Sequence, residues 1–280
     1  MQKIKLFTDS TSDLSKQLLN EHRIDVVPLS VVFADKAFKD GQEINTEKMY
    51  NIIDENGKLP KTSAPSPQDF IDAFKPYIDD GYEIIYIGLS SDLSVTCQNA
   101  SLASQSLDGK VHVVDSKNLS TGIGLLVLKA ADFINEGFSS EEVAQKVRNL
   151  VEKVETEFVI NTLEYLHKGG RCSGVQNFVG NMLKIRPVVK VVDGGMILAQ
   201  KTRGKRKKAL KTLLKNALKN KKEITEDRIF VTHSMDSEGA EYLKAELEKE
   251  VKGQVIITDA GCVISSHCGP KTVGILYIKK

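Results

Sequence analysis

The stretch EIIYIGLSSDLSVTCQNA, Glu83 to Ala100, decides the fold. Its first half is an unbroken apolar run of the kind buried on both faces of a parallel sheet. Its second half passes through a turn of small polar residues into helical patterning. The turn places four hydroxyls, Ser90, Ser91, Ser94 and Thr96, where strand gives way to helix. One hydroxyl is enough to cap a helix N-terminus, and Ser91 or Ser94 could serve. The others face a helix end whose unpaired N–H groups and partial positive charge favour an anion.

The same alternation extends in both directions. IKLFTD, VVPLSVVF and VHVVDS read as strands, and DLSKQLLNEH, TEKMYNIIDE, QDFIDAFKPYIDDG and GLLVLKAADFINEG as helices. Strands alternating with helices predict an α/β protein whose N-terminal domain, residues 1–156, is a doubly wound, mostly parallel sheet. Its polar turns FTDSTSD, GLSSDLS and VVDSKNLSTG follow strand ends, where open α/β sheets bind ligands. SSEEVAQKVRNLVEKVE opens with a capping signal at Ser139 or Ser140. Beyond it the pattern changes to EFVINT, RPVVKVVDGGMILAQKT, RIFVTHS, QVIITDA and TVGILYIKK, with DGG marking a hairpin. These runs predict a C-terminal α+β domain with a mixed sheet, residues 157–280.

The chain has 280 residues, 41% of them hydrophobic, enough for a substantial core. Lys and Arg total 39 against 37 Asp and Glu, so the net charge of +2 gives no general argument for nucleic acid. MQKIKLFTDSTSDL lacks the apolar core of a leader, and no apolar run approaches the roughly 20 residues that span a bilayer. A cytoplasmic protein is expected. Cys97, Cys172, Cys262 and Cys268 form no CxxC pair and read as reduced thiols, with no metal site expected. Neither GxGxxG nor GxxxxGK[ST] occurs, so no nucleotide or other cofactor is expected.

Three further segments combine hydroxyl, histidine or arginine groups with turn residues. In KTSAPSPQDF, Pro65 and Pro67 make an extended entry and Ser66 caps the following helix, which leaves Thr62 and Ser63 unexplained by capping. In LEYLHKGGRCSG, Gly169 and Gly170 allow positive φ and bring Arg171 onto a tight turn, or form an ordinary helix C-cap. In SSHCGPKTVG, His267 precedes a Gly-Pro turn and reads as a loop residue.

Taken in order, FTDSTSDL, TSAPSP, SSDLSVTCQNA, VVDSKNLSTGIG, YLHKGGRCSG, LKIRPVV, RGKRKKAL and HCGPKTVG resemble the DegV family of bacterial lipid-binding proteins over essentially the whole chain. The resemblance implies two α/β domains with a lipid site between and within them, and no catalytic residue. The chain would carry one long-chain fatty acid and present its carboxylate to the catalytic subunit of fatty acid kinase, feeding phospholipid synthesis. Thr62, Ser94 and His267 would bind the carboxylate, with Ser63, Ser91 and Val95 supporting them. Arg171 and Arg203 would lie on the side of the partner and its phosphoryl group. Val95 and Lys271 stand where the family has glycines, and Cys172 where it has an aliphatic residue.

The tail needs apolar lining, for which Phe158, Ile160, Leu163, Leu166, Phe178, Met182, Leu183, Ile185, Val188 and Val189 are candidates. The run RGKRKKALKTLLKNALKNKK, Arg203 to Lys222, sets leucines at helical spacing with cations around them, as in a helix that touches an anionic membrane, a nucleic acid or an acidic partner, the first or last being preferred. Its charges can equally form a solvated face. An alternative function is a serine acyl hydrolase with Ser94 as nucleophile, His267 as base and Asp9 or Asp115 as acid, although no GxSxG elbow is present.

Overall fold

A computed structural model of the chain describes residues 2–34, 36–171, 185–219 and 221–280. In chain order the regular elements are β1 (Ile4–Asp9), α1 (Lys16–Glu21), β2 (Asp25–Val27), β3 (Ser30–Phe33), β4 (Lys36–Lys39), α2 (Thr46–Asn56), β5 (Lys61–Ser63), α3 (Pro67–Asp79), β6 (Glu83–Gly88), α4 (Thr96–Gln105), β7 (Val111–Asp115), α5 (Thr121–Asn135) and α6 (Ser140–Val151). There follow β8 (Val154–Val159), α7 (Glu164–Lys168), β9 (Ile185–Val192), β10 (Gly195–Arg203), α8 (Arg206–Lys219), β11 (Ile224–Ser234), α9 (Ser237–Leu247), β12 (Gln254–Asp259), α10 (Cys262–Cys268) and β13 (Thr272–Lys279).

The first sheet is all parallel, in the order β2-β1-β6-β7. Its central strand β6 is apolar on both faces because it is covered on both. Ile84 and Tyr86 join Phe70 and Phe74 of α3 and Cys97 of α4, while Ile85 and Ile87 join Ile123 and Leu126 of α5. Helices α3 and α6 start where their sequences say they should, each with a capping box, Ser66 with Asp69 and Ser139 with Glu142. Strand order reverses direction at β1 and β6, so the loops after these two strands border the crevice of a doubly wound sheet.

The run VVPLSVVF divides at Pro28, which has no N–H to give a ladder. Asp25–Val27 extends the parallel sheet, and Ser30–Phe33 leaves it for a small antiparallel sheet, β4-β3-β5. Thr62 therefore sits on an edge strand opposite Val31.

The second sheet has the order β10-β9-β8-β13-β11-β12, antiparallel except for the β11–β12 pair. The DGG signal is the β9–β10 turn, where Asp193 (φ 49°) and Gly194 (φ 82°) both take the positive φ of a type I′ hairpin. Strand β8 runs through the 156/157 junction at which the sequence divides into two domains. On one face of the sheet, Val159, Val231 and Ile275 pack with Leu213 of α8 and Leu243 of α9. On the other, Phe158, Phe230 and Leu276 share a core with α5, so this layer joins the two halves of the chain. Among the described residues no helix is long and apolar enough to cross a membrane.

Candidate functional site

Helix α10 carries His267 in its last turn, where the sequence suggested a loop; CVISSHC has no helical period to give it away. The imidazole Nε2 lies 3.0 Å from Thr62 Oγ1. Ser94 arrives from the loop after β6, which is turned by two amides on one carbonyl: Leu93 N–H (3.0 Å) and Ser94 N–H (3.1 Å) both donate to Ser90 O. Val95 occupies the cap position of α4 with no side-chain bond to offer. Ser94 Oγ accepts instead from Thr96 N–H (3.3 Å) and shares a hydrogen bond with Thr96 Oγ1 (2.8 Å).

Thr62, Ser94 and His267 line one cavity, together with Arg171. About 860 Å³ of space lies between its walls, the open mouth included. Apolar walls come from both halves of the chain, Leu29, Leu89 and Leu119 from one and Phe158, Val263 and Leu276 from the other. Five hydroxyl residues also line it, and each hydroxyl is held by protein. Ser120 donates to Asp13 (2.5 Å), Thr156 to Asn118 (2.7 Å), Thr272 to Cys268 O (3.0 Å) and Ser234 to Ser265 (2.8 Å), while Thr232 bridges Thr121 and Thr258. With these five hydroxyls so engaged, the cavity joins largely apolar walls to the polar groups of Thr62, Ser94, His267 and Arg171, with His233 also on its lining.

Burial first, and then the neighbouring Arg171 guanidinium, push His267 down to about 4, so the imidazole is neutral near pH 7. Its Nδ1 is buried and has no hydrogen-bond partner among the described residues. A Cβ on Gly169 would stand 2.3 Å from Nδ1, so the first glycine of KGGR permits close approach at φ −76°. Only the second, Gly170, needs positive φ (71°). Arg171, on the cavity lining, is then fixed by Nη1 on Gly169 O (2.8 Å) and Nε on Leu93 O (3.4 Å).

The supporting residues expected from sequence lie elsewhere. Ser63 is exposed and its hydroxyl donates to Ala64 O (3.4 Å). Ser91 is tied to Lys117 Nζ through its hydroxyl (2.9 Å) and to Asp115 through its amide. Val95 is 53% exposed, and Arg203 ends β10 on the surface opposite Ile185. Of the tail-lining candidates, Phe158 and Leu166 reach the cavity. Ile160, Leu163, Val188 and Val189 are ordinary core, and Ile185 is half-buried at the start of β9. Cys172, Phe178, Met182 and Leu183 fall outside the described residues. Ser120 and Thr156 line the cavity without a signal in the sequence, because nothing in a sequence distinguishes a hydroxyl facing a cavity from one in a core.

Among the described residues, Ser94, His267 and Asp9 or Asp115 are not joined in a relay. Ser94 is bonded to Thr96 and not to His267, and neither Asp9 nor Asp115 is bonded to His267. Asp9 is occupied by Thr11, Tyr86 and the Leu89 amide, and Asp115 by Ser91 and Lys117.

Fold and site define a two-domain α/β protein with a largely apolar cavity lined from both halves of the chain. The chain belongs to the DegV family: a family model described as "Uncharacterised protein, DegV family" matches residues 3–280. A DegV domain-containing protein of Clostridium acetobutylicum is 35% identical over 283 residues, covering 100% of both chains. Among solved structures, a fatty-acid-binding DegV family protein of Thermus thermophilus matches with a TM-score of 0.92 at 32% identity, covering 100% of both chains. The Fatty Acid Kinase B3 protein of Streptococcus pneumoniae, loaded with linoleic acid, matches at 0.86 with 25% identity, again over 100% of both.

Proposed function

We propose that this chain binds one long-chain fatty acid without a covalent bond and presents its carboxylate to a partner kinase, which makes the acyl phosphate used in phospholipid synthesis. The observation that carries this reading is the 3.0 Å contact of Thr62 with His267 on a largely apolar cavity whose five other hydroxyls are engaged by protein. Neutral His267, donating from Nε2 to Thr62 Oγ1, leaves the Thr62 O–H free to point at a carboxylate oxygen. Ser94, accepting from Thr96, frees a second. Hydrogen bonds to a charged group contribute roughly 1.5–3 kcal/mol each, which offsets part of the several kcal/mol needed to desolvate a carboxylate.

The tail acts on a larger scale. At about 0.8 kcal/mol per buried CH₂, a chain of ~14 methylenes contributes ~11 kcal/mol before association costs. Affinity then resides in the tail and orientation in the head. Neutral hydroxyls hold the carboxylate without the strong fork an arginine would make, leaving it reactive toward a phosphoryl donor. Arg171 on the cavity lining, fixed by two carbonyls, places a cation where that donor's charge would approach. We assign the division between the domains to the α6–β8 connection, since β8 belongs wholly to the second sheet.

The family and the two structural neighbours that bind fatty acids support this reading, and extraction tests it. Denaturing mass spectrometry of the purified protein should release about one free fatty acid and leave Ser94 unmodified; an acyl-serine adduct would instead favour the hydrolase. The exposed cations of α8 support transient contact with an anionic membrane during cargo exchange. Its buried face, Ala209, Leu210, Leu213 and Ala217, leaves Lys207, Lys211, Lys215 and Lys219 on the solvent side in an i, i+4 row.

A further inference from the structure

His267 is placed by helix α10, and α10 is placed by two carboxylates from far earlier in the chain. Asp40 Oδ1 accepts from Cys262 N–H (2.8 Å) and its Oδ2 from Val263 N–H (3.3 Å). Asp13 Oδ1 accepts from Gly261 N–H (2.8 Å), and its other oxygen from Ser120 (2.5 Å). Both side chains are buried, so each unmade bond would leave a charge without compensation. The cap residue Gly261 offers no side chain, and a Cβ there would stand 3.2 Å from both carboxylates. The helix start is thus gripped by the N-terminal half of the chain, while its last turn meets that half again at Thr62. Neither aspartate lines the cavity.

We propose that Asp40, assisted by Asp13, is a positioning residue of the carboxylate network: it anchors the first turn of α10 and thereby sets His267 against Thr62. This rests on the reading that Thr62, Ser94 and His267 hold the ligand's carboxylate. Removing one acceptor oxygen at residue 40 releases the Val263 or Cys262 amide, lets the helix slide, and moves the imidazole at its far end. Because the tail is held by the apolar walls, the lipid stays bound while its head changes surroundings.

The test uses palmitate labelled with carbon-13 at the carboxyl, loaded into the intact protein and observed by NMR. Asp40→Asn should displace the carboxyl resonance in the same direction as His267→Ala and Thr62→Ala, with lipid stoichiometry within about twofold of the unmodified protein. Ser10→Ala, which removes the hydroxyl that holds Asp40, should give a smaller displacement of the same sign. A wild-type resonance in Asp40→Asn, with His267→Ala displaced, overturns the positioning role and leaves the site intact. If Asp40→Asn does not fold, a wild-type resonance in Ser10→Ala overturns it equally. Resonances unmoved in Thr62→Ala and His267→Ala would instead remove the carboxylate site itself.

Discussion

Thr62 and His267 are separated by 205 positions in the chain and meet at 3.0 Å, one on an edge strand of a small antiparallel sheet and the other in the last turn of α10. The contact crosses from the N-terminal half to the C-terminal half at the head of the cavity. Acyl phosphate formation should therefore be more sensitive to it than lipid retention. Thr62→Ala and Ser94→Ala each remove one donor to a charged group, roughly 1.5–3 kcal/mol, or about 10- to 100-fold in rate if the bond matters only for the reacting head. Kinase-coupled assays alongside mass spectrometry of retained lipid check this, and equal losses in both would refute the separate roles of head and tail.

The lowered basicity of His267 makes the lipid-free protein acid-sensitive. Its folded value of about 4 lies below the unfolded 6.5, so the unfolded chain binds more protons between those limits and stability falls as pH drops from 6.5 toward 4. The full effect is on the order of 3 kcal/mol. The buried Asp9, Asp13 and Asp40 carboxyls are raised by desolvation and act with the opposite sign above 3.8. The His267 contribution is therefore read as a difference: urea titrations of the unmodified protein should lose stability across this window relative to His267→Gln. A parallel pair of curves would show that the imidazole does not titrate there. Loading with a fatty acid should shrink the difference, since a carboxylate favours the charged ring.

Gly194 closes the β9–β10 turn against the loop that carries Ser94. Ser90 Oγ donates to its carbonyl at 2.8 Å, and a Cβ would meet Asp92, Ser90 and Lys117 between 2.3 and 2.8 Å. With φ at 82° as well, Gly194→Ala should cost about 1–3 kcal/mol in chemical denaturation. It should also speed release of a fluorescent fatty acid, since Met196 and Leu93 border the cavity on either side of this contact. A denaturation midpoint unchanged by the substitution would mean that the hairpin does not brace the loop.

If the cations of α8 meet an anionic surface, transfer of fatty acid from phosphatidylglycerol vesicles should slow as salt rises, because the screening length drops to about 8 Å near 0.15 M. Charge reversal at Lys211 and Lys215 should slow transfer at low salt several-fold and flatten the salt dependence, each basic residue near such a surface contributing about 1 kcal/mol. A transfer rate indifferent to salt would reduce the row to a solvated face.

Much of this architecture is legible in the residues. EIIYIGL is apolar throughout because β6 is covered on both faces, and DGG announces its hairpin because only such residues accept two positive φ values in succession. Thr62, Ser94 and His267 stand out as polar groups in segments where capping explains too little, and the family pattern joins them. Other features depend on packing that no local pattern records. Ser91 and Ser94 look alike in the sequence, yet a neighbouring Lys117 draws one away and the cavity receives the other. Arg203 is near Arg171 in motif order but ends its strand on the open surface. The helix holding His267 owes its position to Asp13 and Asp40, more than 200 positions away, a separation beyond the reach of any helical or strand period.

Strand β13 is the last of the described strands to be synthesised, yet it lies between β8 and β11 in the second sheet. Vectorial synthesis can complete the parallel sheet while β8, already beside β9, still lacks β13 on its other edge. Until residues 272–279 leave the ribosome, the wall of Phe158 and the face of α5 that it covers stay open to water. Thr272, Gly274 and Leu276 of the same strand line the cavity, so its walls close only once β13 has been inserted between strands already made.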